Sequence, residues 1–435
     1  MKTPVEYYKE LQDRYDKVGP GFCVLKWHHL EMHLSSAQSH SCFHCPQRHI
    51  NLEEDFHNTE QKMRQRKAML EGGRPVECFY CWNVEDSGSI SPRIALTPIY
   101  TEMQSDIIET TARMQWDEPV YPKYLEMSFS NKCQMKCSYC STQNSSSLHE
   151  EIKKFGEYPL IHPENNSQYV SHGRENLWPE NSEMYDKFWK WIREAVMHLQ
   201  VIRITGGEPL LSEHTFKLAK FIRNHPNGEN IAFHVNSNLS VSTRRVDRII
   251  KTMSEMKSPK IYASVDTLGE QAEWIRHGLN WKTFEINLVQ ILNASIPVGL
   301  MVTFNLLSIP KFKEFLGYVL ELKRLGDVKL DTPYMTNPKH LSALILDDNM
   351  MNMLKDAEKF MEQNTDDGDN LKFNSGELQK FKTVVKWVEK NRFVEEDLNT
   401  HRKDFKLFVD EHDKRRNVSW HDAFPELQYF YDEIS

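Results

Sequence analysis

The chain has 435 residues, of which 39% are hydrophobic and 27% charged, and a formal net charge of −8. That length allows two or three domains with ample core, and the composition is that of an ordinary globular protein rather than a disordered or fibrous one. No long Lys/Arg block is present, so duplex nucleic acid is not an expected partner, while a nucleotide-sized substrate stays compatible.

The opening segment, "MKTPVEYYKELQDRYDK", lacks the apolar stretch of a signal peptide. The most apolar later run, "IPVGLMVTF", is too short to span a bilayer. No membrane association and a cytoplasmic location are therefore expected. Residues 1–115 are rich in His and Cys and carry Cys23, Cys42, Cys45, Cys78 and Cys81. Within them, "TEQKMRQRKAMLEGG" predicts a helix stopped by Gly72 and Gly73.

From 116 to 340 short apolar strands alternate with amphipathic helices. The predicted strands are "KYLEMSF", "VIRIT", "IAFHVN", "IYASVD", "VGLMVTF" and "DVKLDT". The helices include "MYDKFWKWIREAVMHL", "EHTFKLAKFIRNH", "RRVDRIIKTMSEM", "WKTFEINLVQILN" and "PKFKEFLGYVLELKRL". Such alternation predicts parallel βα units. The expected fold is α/β: a partial (β/α)6 barrel with an N-terminal Cys-rich metal-binding segment and a C-terminal helical extension, since a closed eight-stranded barrel needs more strands. Residues 141–182 are long and polar and read as a lid-type loop. Residues 341–435 read as helices, with "NTDDGDN" as a linker and the last segment packing back on the barrel.

All eight cysteines lie at or before Cys140, so they form a functional set. Without a secretory signal, metal ligation in a reducing compartment is a better account than a disulfide framework. Cys133, Cys137 and Cys140, in "NKCQMKCSYCS", make a C-x3-C-x2-C triplet directly after the first barrel strand. Three thiols can hold three corners of one cluster and leave the fourth open, whereas zinc sites usually pair their cysteines as C-x2-C. The second signal is Gly206-Gly207-Glu208-Pro209 after "VIRIT", in a chain with only 17 glycines. Paired glycines let a ligand approach the main chain and Pro209 stiffens the turn, with the Glu208 carboxylate expected to face an ammonium group. Two further strand ends carry Ser237 with Asn238 and Ser264 with Asp266, and Arg276 follows in "EWIRHGLNW", read as helical. Barrel active sites assemble at such C-terminal strand ends.

Together these motifs resemble the radical S-adenosylmethionine (SAM) superfamily, down to the aromatic Tyr139 just before the last cysteine of the triplet. The resemblance implies a [4Fe–4S] cluster on Cys133, Cys137 and Cys140, whose open iron chelates the amino and carboxylate groups of SAM. It implies that Gly206 to Pro209 hold the amino group, that Ser264 and Asp266 lie at the ribose, and that Arg276 pairs with the methionine carboxylate. Ser237 and Asn238 fall where such proteins often carry a Thr-Asn-Gly turn, with Leu239 in place of the Gly. Reductive cleavage would yield a 5′-deoxyadenosyl radical that abstracts a substrate hydrogen. The implied partners are an electron donor such as flavodoxin or ferredoxin and a peptide or small-molecule substrate. No catalytic acid or base is assigned, because the radical chemistry belongs to the cofactor.

The five earlier thiols include two C-x2-C pairs, Cys42 with Cys45 and Cys78 with Cys81, and Cys23 beside them. Their surroundings resemble the auxiliary-cluster segment of twitch/SPASM-type radical SAM proteins, which implies a second iron–sulfur cluster. Spacing alone leaves that cluster, a structural zinc and metal-free thiols open. Trp27 and Trp82 are expected to pack around this centre, whereas His28, His29 and His44 read as core or surface residues. The rival reading of the whole chain is a zinc-binding interaction protein on a barrel scaffold without radical chemistry. Methylthio transfer or methylation ranks below both, since neither a basic nucleic-acid module nor a cobalamin-type loop is evident.

Overall fold

A computed structural model describes residues 4–42, 44–170, 177–393 and 395–434. Among these, the strands in chain order are β1 (His29–His33), β2 (Gln38–His40), β3 (Arg48–His49), β4 (Tyr124–Ser128), β5 (Lys136–Cys137) and β6 (Val201–Thr205). They continue with β7 (Ala232–Ser237), β8 (Ser258–Ser264), β9 (Arg276–His277), β10 (Val298–Met301) and β11 (Val328–Asp331). The chain forms two units: residues 1–130 with 175–205 and 224–233, and residues 131–174 with 206–223 and 234–435.

In the first unit the strand order is β3-β2-β1-β4-β6. β1 runs parallel to β4, which runs parallel to β6, and β2 is antiparallel to β1. Alternation decides the faces. Leu30, Met32, Leu125, Met127, Ile202 and Ile204 are fully buried on one side. Glu31, Glu126 and Arg203 stand at one register on the other. The helix Glu60–Leu70 is where its sequence predicts it, capped by the Thr59 hydroxyl, which accepts from the Lys62 amide at 3.2 Å, and followed by Gly72 at φ +82°.

In the second unit β8, β10 and β11 are parallel neighbours and most of β7 borders β8. The helices Glu213–Asn224, Thr243–Met253, Trp281–Asn293 and Phe312–Lys323 intervene between or follow the strands. The six predicted strands are thus β4, β6, β7, β8, β10 and β11, and the fold is α/β with parallel strands of the radical SAM partial-barrel type. The C-terminal extension is helical as expected, with Asp348–Gln363, Ser375–Asn391 and Glu395–Arg416 its long members, and "NTDDGDN" joins the first two.

The structure differs from expectation in three places. Residues 141–182 are not one loop: Ser145 caps a helix over Ser146–Phe155, accepting from the Leu148 amide at 3.1 Å, and Gly156 ends it at φ +82°. Leu148 and Ile152, one turn apart, bury its inner face. Residues 171–176 of that stretch lie outside the described residues. Strand β1 was not expected, because its Leu30 and Met32 are separated by polar residues in a His-rich run. Arg276 begins β9 rather than lying on a helix surface, and β9 pairs antiparallel with β5 in the cysteine loop.

Candidate active site and second thiol centre

The cysteine triplet sits on a loop whose shape comes from its neighbours in the second unit. β5 places Cys137 opposite Arg276, and Cys140 closes a turn by donating its amide to the Cys137 carbonyl at 3.0 Å. Gly278, at φ +101°, lets the β9 segment approach: a Cβ there would lie 2.9 Å from the Gln134 carbonyl oxygen. Ser145 donates its hydroxyl to the Met135 carbonyl at 2.6 Å, and Ser147 donates to the Cys133 carbonyl at 2.7 Å.

None of the three cysteines forms a disulfide among the described residues, and nitrogen donors face two of the sulfurs. The Met135 amide lies 3.5 Å and the Asn238 Nδ2 4.0 Å from the Cys133 Sγ, and the Arg276 Nη1 lies 4.0 Å from the Cys137 Sγ. Burial pushes the Cys133 and Cys137 thiols up, and at Cys137 the Arg276 guanidinium opposes it. Donors turned toward sulfur stabilise thiolate charge, as cluster ligation requires. The donor set therefore fits a cluster held by three cysteines.

The Gly-Gly-Glu-Pro turn is seated on the residues just before Cys133. The Glu208 amide donates to the Lys132 carbonyl at 2.8 Å. A Cβ on Gly207 would fall 2.5 Å from that carbonyl oxygen and 2.6 Å from the Asn131 carbonyl carbon. Gly207→Ala should therefore displace the cysteine loop at a cost of about 1–3 kcal/mol, read as a lowered denaturant midpoint together with reduced iron loading. Wild-type values for both would show that the contact is dispensable.

The Glu208 carboxylate is held by neighbouring protein donors. It is 2% exposed and accepts from the Leu210 amide at 2.9 Å, the Ser237 hydroxyl at 2.9 Å and the Asn238 amide at 2.7 Å. It thus ties the Gly-Gly-Glu-Pro turn to the end of β7. Asn238 in turn reaches the cysteine loop, where the Gln134 side chain donates to its Oδ1 at 3.1 Å. Leu239 occupies the expected Gly position at φ +50°, a conformation that favours glycine, and is fully buried.

Burial pushes the Glu208 carboxyl up to about 7 from its ordinary 4.5, against the pull of its three donors. A raised value favours the neutral form in the fold, so its stabilising contribution is full below about 4.5 and is lost as pH rises through about 7. Thermal midpoints of metal-free protein should fall between these limits, and fall less in Glu208→Gln. Parallel profiles would contradict this.

Asp266 and Arg276 are also brought together, but with each other. The Arg276 Nε donates to the Asp266 Oδ2 at 2.8 Å and Nη2 to Oδ1 at 3.1 Å. Asp266 further accepts from the Tyr139 hydroxyl at 2.6 Å and the Thr303 amide at 3.0 Å, and is fully buried. Four internal bonds occupy the aspartate, and its charge anchors the guanidinium beside Cys137. Ser264 is half-buried at the end of β8, opposite Met301.

The family model for the radical SAM superfamily matches residues 127–318, which contain the triplet and the Gly-Gly-Glu-Pro turn. Residues 127–318 thus carry the match to the radical SAM superfamily. The GTP 3′,8-cyclase of Sulfurimonas denitrificans is 24% identical over 249 residues, covering 56% of this chain and 66% of that enzyme. The chain thus spans just under two thirds of that relative. Among solved structures, Streptococcus suis SuiB with its precursor peptide SuiA bound is 11% identical, covering 80% of this chain and 71% of SuiB at a TM-score of 0.38. The structure of anSMEcpe with bound AdoMet and a peptide is 14% identical, covering 55% of this chain and 60% of that one at a TM-score of 0.34.

In the first unit, the thiols of Cys23, Cys42, Cys45, Cys78 and Cys81 line one pocket, together with Lys26, Trp82 and Arg93. Trp82 and Trp27 belong to the surrounding core, Trp27 fully buried against Phe22. His44 also lines the pocket and stacks on Tyr80, while His28 and His29 are tied to Thr111 and Tyr100. The Sγ atoms of Cys42 and Cys45 are 3.6 Å apart and those of Cys45 and Cys78 3.8 Å. Four thiolates around one tetrahedral ion, with bonds of about 2.3 Å, stand about 3.8 Å apart. A cubane puts each thiolate on its own iron and spreads them wider. Sequence analysis did not single out Lys26, which is 2% exposed with its Nζ 4.0 Å from the Cys45 Sγ. Burial pulls its ammonium down, but the thiols of Cys45, Cys78, Cys42 and Cys23 outweigh it and hold it up.

Among the described residues, no helix is long and apolar enough to cross a membrane.

Proposed function

We propose that the chain is a radical SAM enzyme whose reacting centre is the loop of Cys133, Cys137 and Cys140. The observation that carries this reading is the seating of the Gly-Gly-Glu-Pro turn on that loop, through the Glu208 amide on the Lys132 carbonyl and the close packing of Gly207. When bound, a [4Fe–4S] cluster and SAM supply one-electron cleavage of the sulfonium and a 5′-deoxyadenosyl radical. The chain's own residues hold and orient. Cys133, Cys137 and Cys140 ligate, and Asn238 and Arg276 place N–H groups toward the ligating sulfurs. Asp266 and Tyr139 keep the guanidinium in place, Glu208 with Ser237 stiffens the turn beside the cluster, and Gly206 and Ser264 border the space for SAM. Adding SAM to the dithionite-reduced protein should change the electron paramagnetic resonance signal of the triplet cluster. An unchanged signal would count against SAM ligation.

The proposal extends to an electron donor of the flavodoxin or ferredoxin class and to a peptide or small-molecule hydrogen donor, which deuterium transfer into 5′-deoxyadenosine would tell apart. A second metal centre sits at the five N-terminal thiols. Iron–sulfur and zinc occupants use the same ligands, and the 3.6 and 3.8 Å sulfur separations favour a single tetrahedral ion on Cys42, Cys45 and Cys78 with Cys23 or Cys81 as the fourth. Metal analysis of anaerobically produced protein should then find one zinc per chain beside the iron of one cubane. The iron of two cubanes without zinc would establish an auxiliary cluster instead.

A further inference from the structure

We propose that Glu31, His33 and His40 form a third metal site, for a divalent first-row transition-metal ion, on the polar face of the first unit's sheet. Glu31 and His33 are two apart on β1 and so share a face, and β2 places His40 directly opposite Glu31. One ligand atom from each residue lies within 4.8 Å of the other two. Two imidazoles and one carboxylate are a donor set that binds zinc, iron(II) and their neighbours and leaves coordination positions open.

The separations fit an ion held between the groups. His33 Nε2 and His40 Nε2 stand 3.3 and 3.4 Å from the same oxygen, Glu31 Oε1. A charge-assisted hydrogen bond would close to about 2.7–2.9 Å. Ligand atoms around a tetrahedral ion with bonds of about 2.1 Å are about 3.4 Å apart.

Burial supplies an independent observation. Glu31 and His40 are 7% and 8% exposed, and among the described residues Glu31 Oε2 meets no hydrogen-bonding partner while His40 Nε2 faces Glu31 Oε1 at 3.4 Å. Orphaned polar atoms in such positions are costly unless a ligand takes them up. The other nitrogen of His40, Nδ1, donates to the Cys42 carbonyl oxygen, which fixes the ring and turns Nε2 toward Glu31. Metal-binding histidines are commonly fixed in this way. The two imidazoles stack, with ring planes 3° from parallel.

Glu126 stands beside Glu31 on β4, with Arg203 next on β6. The ion would present its open positions to an oxygen or nitrogen donor of a ligand arriving on this face.

The test is a complete metal inventory of full-length, cluster-loaded protein after equilibrium dialysis against Mn2+, a probe that thiolates bind poorly. Wild type should carry one more divalent ion per chain than Glu31→Gln and His33→Asn. Any bound Mn2+ should show imidazole-nitrogen modulation in its spin-echo spectrum. His33 is the most exposed of the three, so His33→Asn tests the site where Glu31→Gln fails to fold. Equal inventories in wild type and His33→Asn would overturn the proposal, as would bound Mn2+ without imidazole modulation.

Discussion

Replacing any one of Cys133, Cys137 and Cys140 by Ala should strip the triplet of its iron and its visible absorbance while leaving the metal of the N-terminal thiols in place. A cluster with an open iron has three protein ligands, and losing one leaves two, too few to retain it. The Cys137 substitution should be the most disruptive of the three. Cys137 is in β5, paired with Arg276, and its loss would leave a buried guanidinium facing no thiolate. Metal content of the three variants checks this directly. If any of them kept full iron, that thiol would not be a ligand. If the N-terminal metal left as well, the two thiol sets would not be separable centres.

Arg416→Met should destabilise the protein by about 3 kcal/mol, because it removes the more buried of the two cations on Glu151 and leaves that carboxylate to Lys136 alone. The side chains of Arg416 and Glu151 are 1% and 2% exposed, and three guanidinium-to-carboxylate contacts between 2.8 and 3.3 Å join them. Lys136 Nζ reaches the same carboxylate at 2.7 Å. Arg416 also donates to the Lys136 carbonyl at 2.7 Å, one residue before Cys137. The C-terminal helix thus pins the cysteine loop from behind, and the variant should lose iron faster as well as unfold at lower denaturant. Burial raises the Glu151 carboxyl, but Arg416 and Lys136 overcome it and hold it at about 2, below its ordinary 4.5. A depressed value means this contribution is full above about 4.5 and is lost as pH falls toward about 2. A denaturation series against pH should show wild type converging on Arg416→Met in acid. A constant gap between the two would place the stabilisation elsewhere.

Much of this architecture is written locally. The strands β4, β6, β7, β8, β10 and β11 are short apolar runs bounded by polar turns, and the cysteine spacing with the Gly-Gly-Glu-Pro turn marks the site without any tertiary information. The helix Ser146–Phe155 was equally legible, since a Ser cap, Leu148 and Ile152 one turn apart and a closing Gly156 are its signature, but the polarity of the stretch obscured it. What local sequence does not carry is which polar groups find each other. Glu208 looks like a free carboxylate until Ser237 and Asn238, some thirty residues on, arrive as donors. Asp266 and Arg276 lie ten residues apart, and only the β9 turn pairs them. Glu151 and Arg416 are joined only by the return of the last long helix. In the N-terminal segment His28, His29 and His44 read from sequence as core or surface residues, and only the pairing of β1 with β2 brings His40 to Glu31 beside His33.

The measurement that tests the central claim most directly is the yield of 5′-deoxyadenosine when the anaerobic protein is reduced in the presence of SAM. The account predicts steady formation by wild type and background levels in Cys133→Ala, Cys137→Ala and Cys140→Ala. Equal formation by wild type and any of these variants, or none by fully iron-loaded wild type, would contradict it.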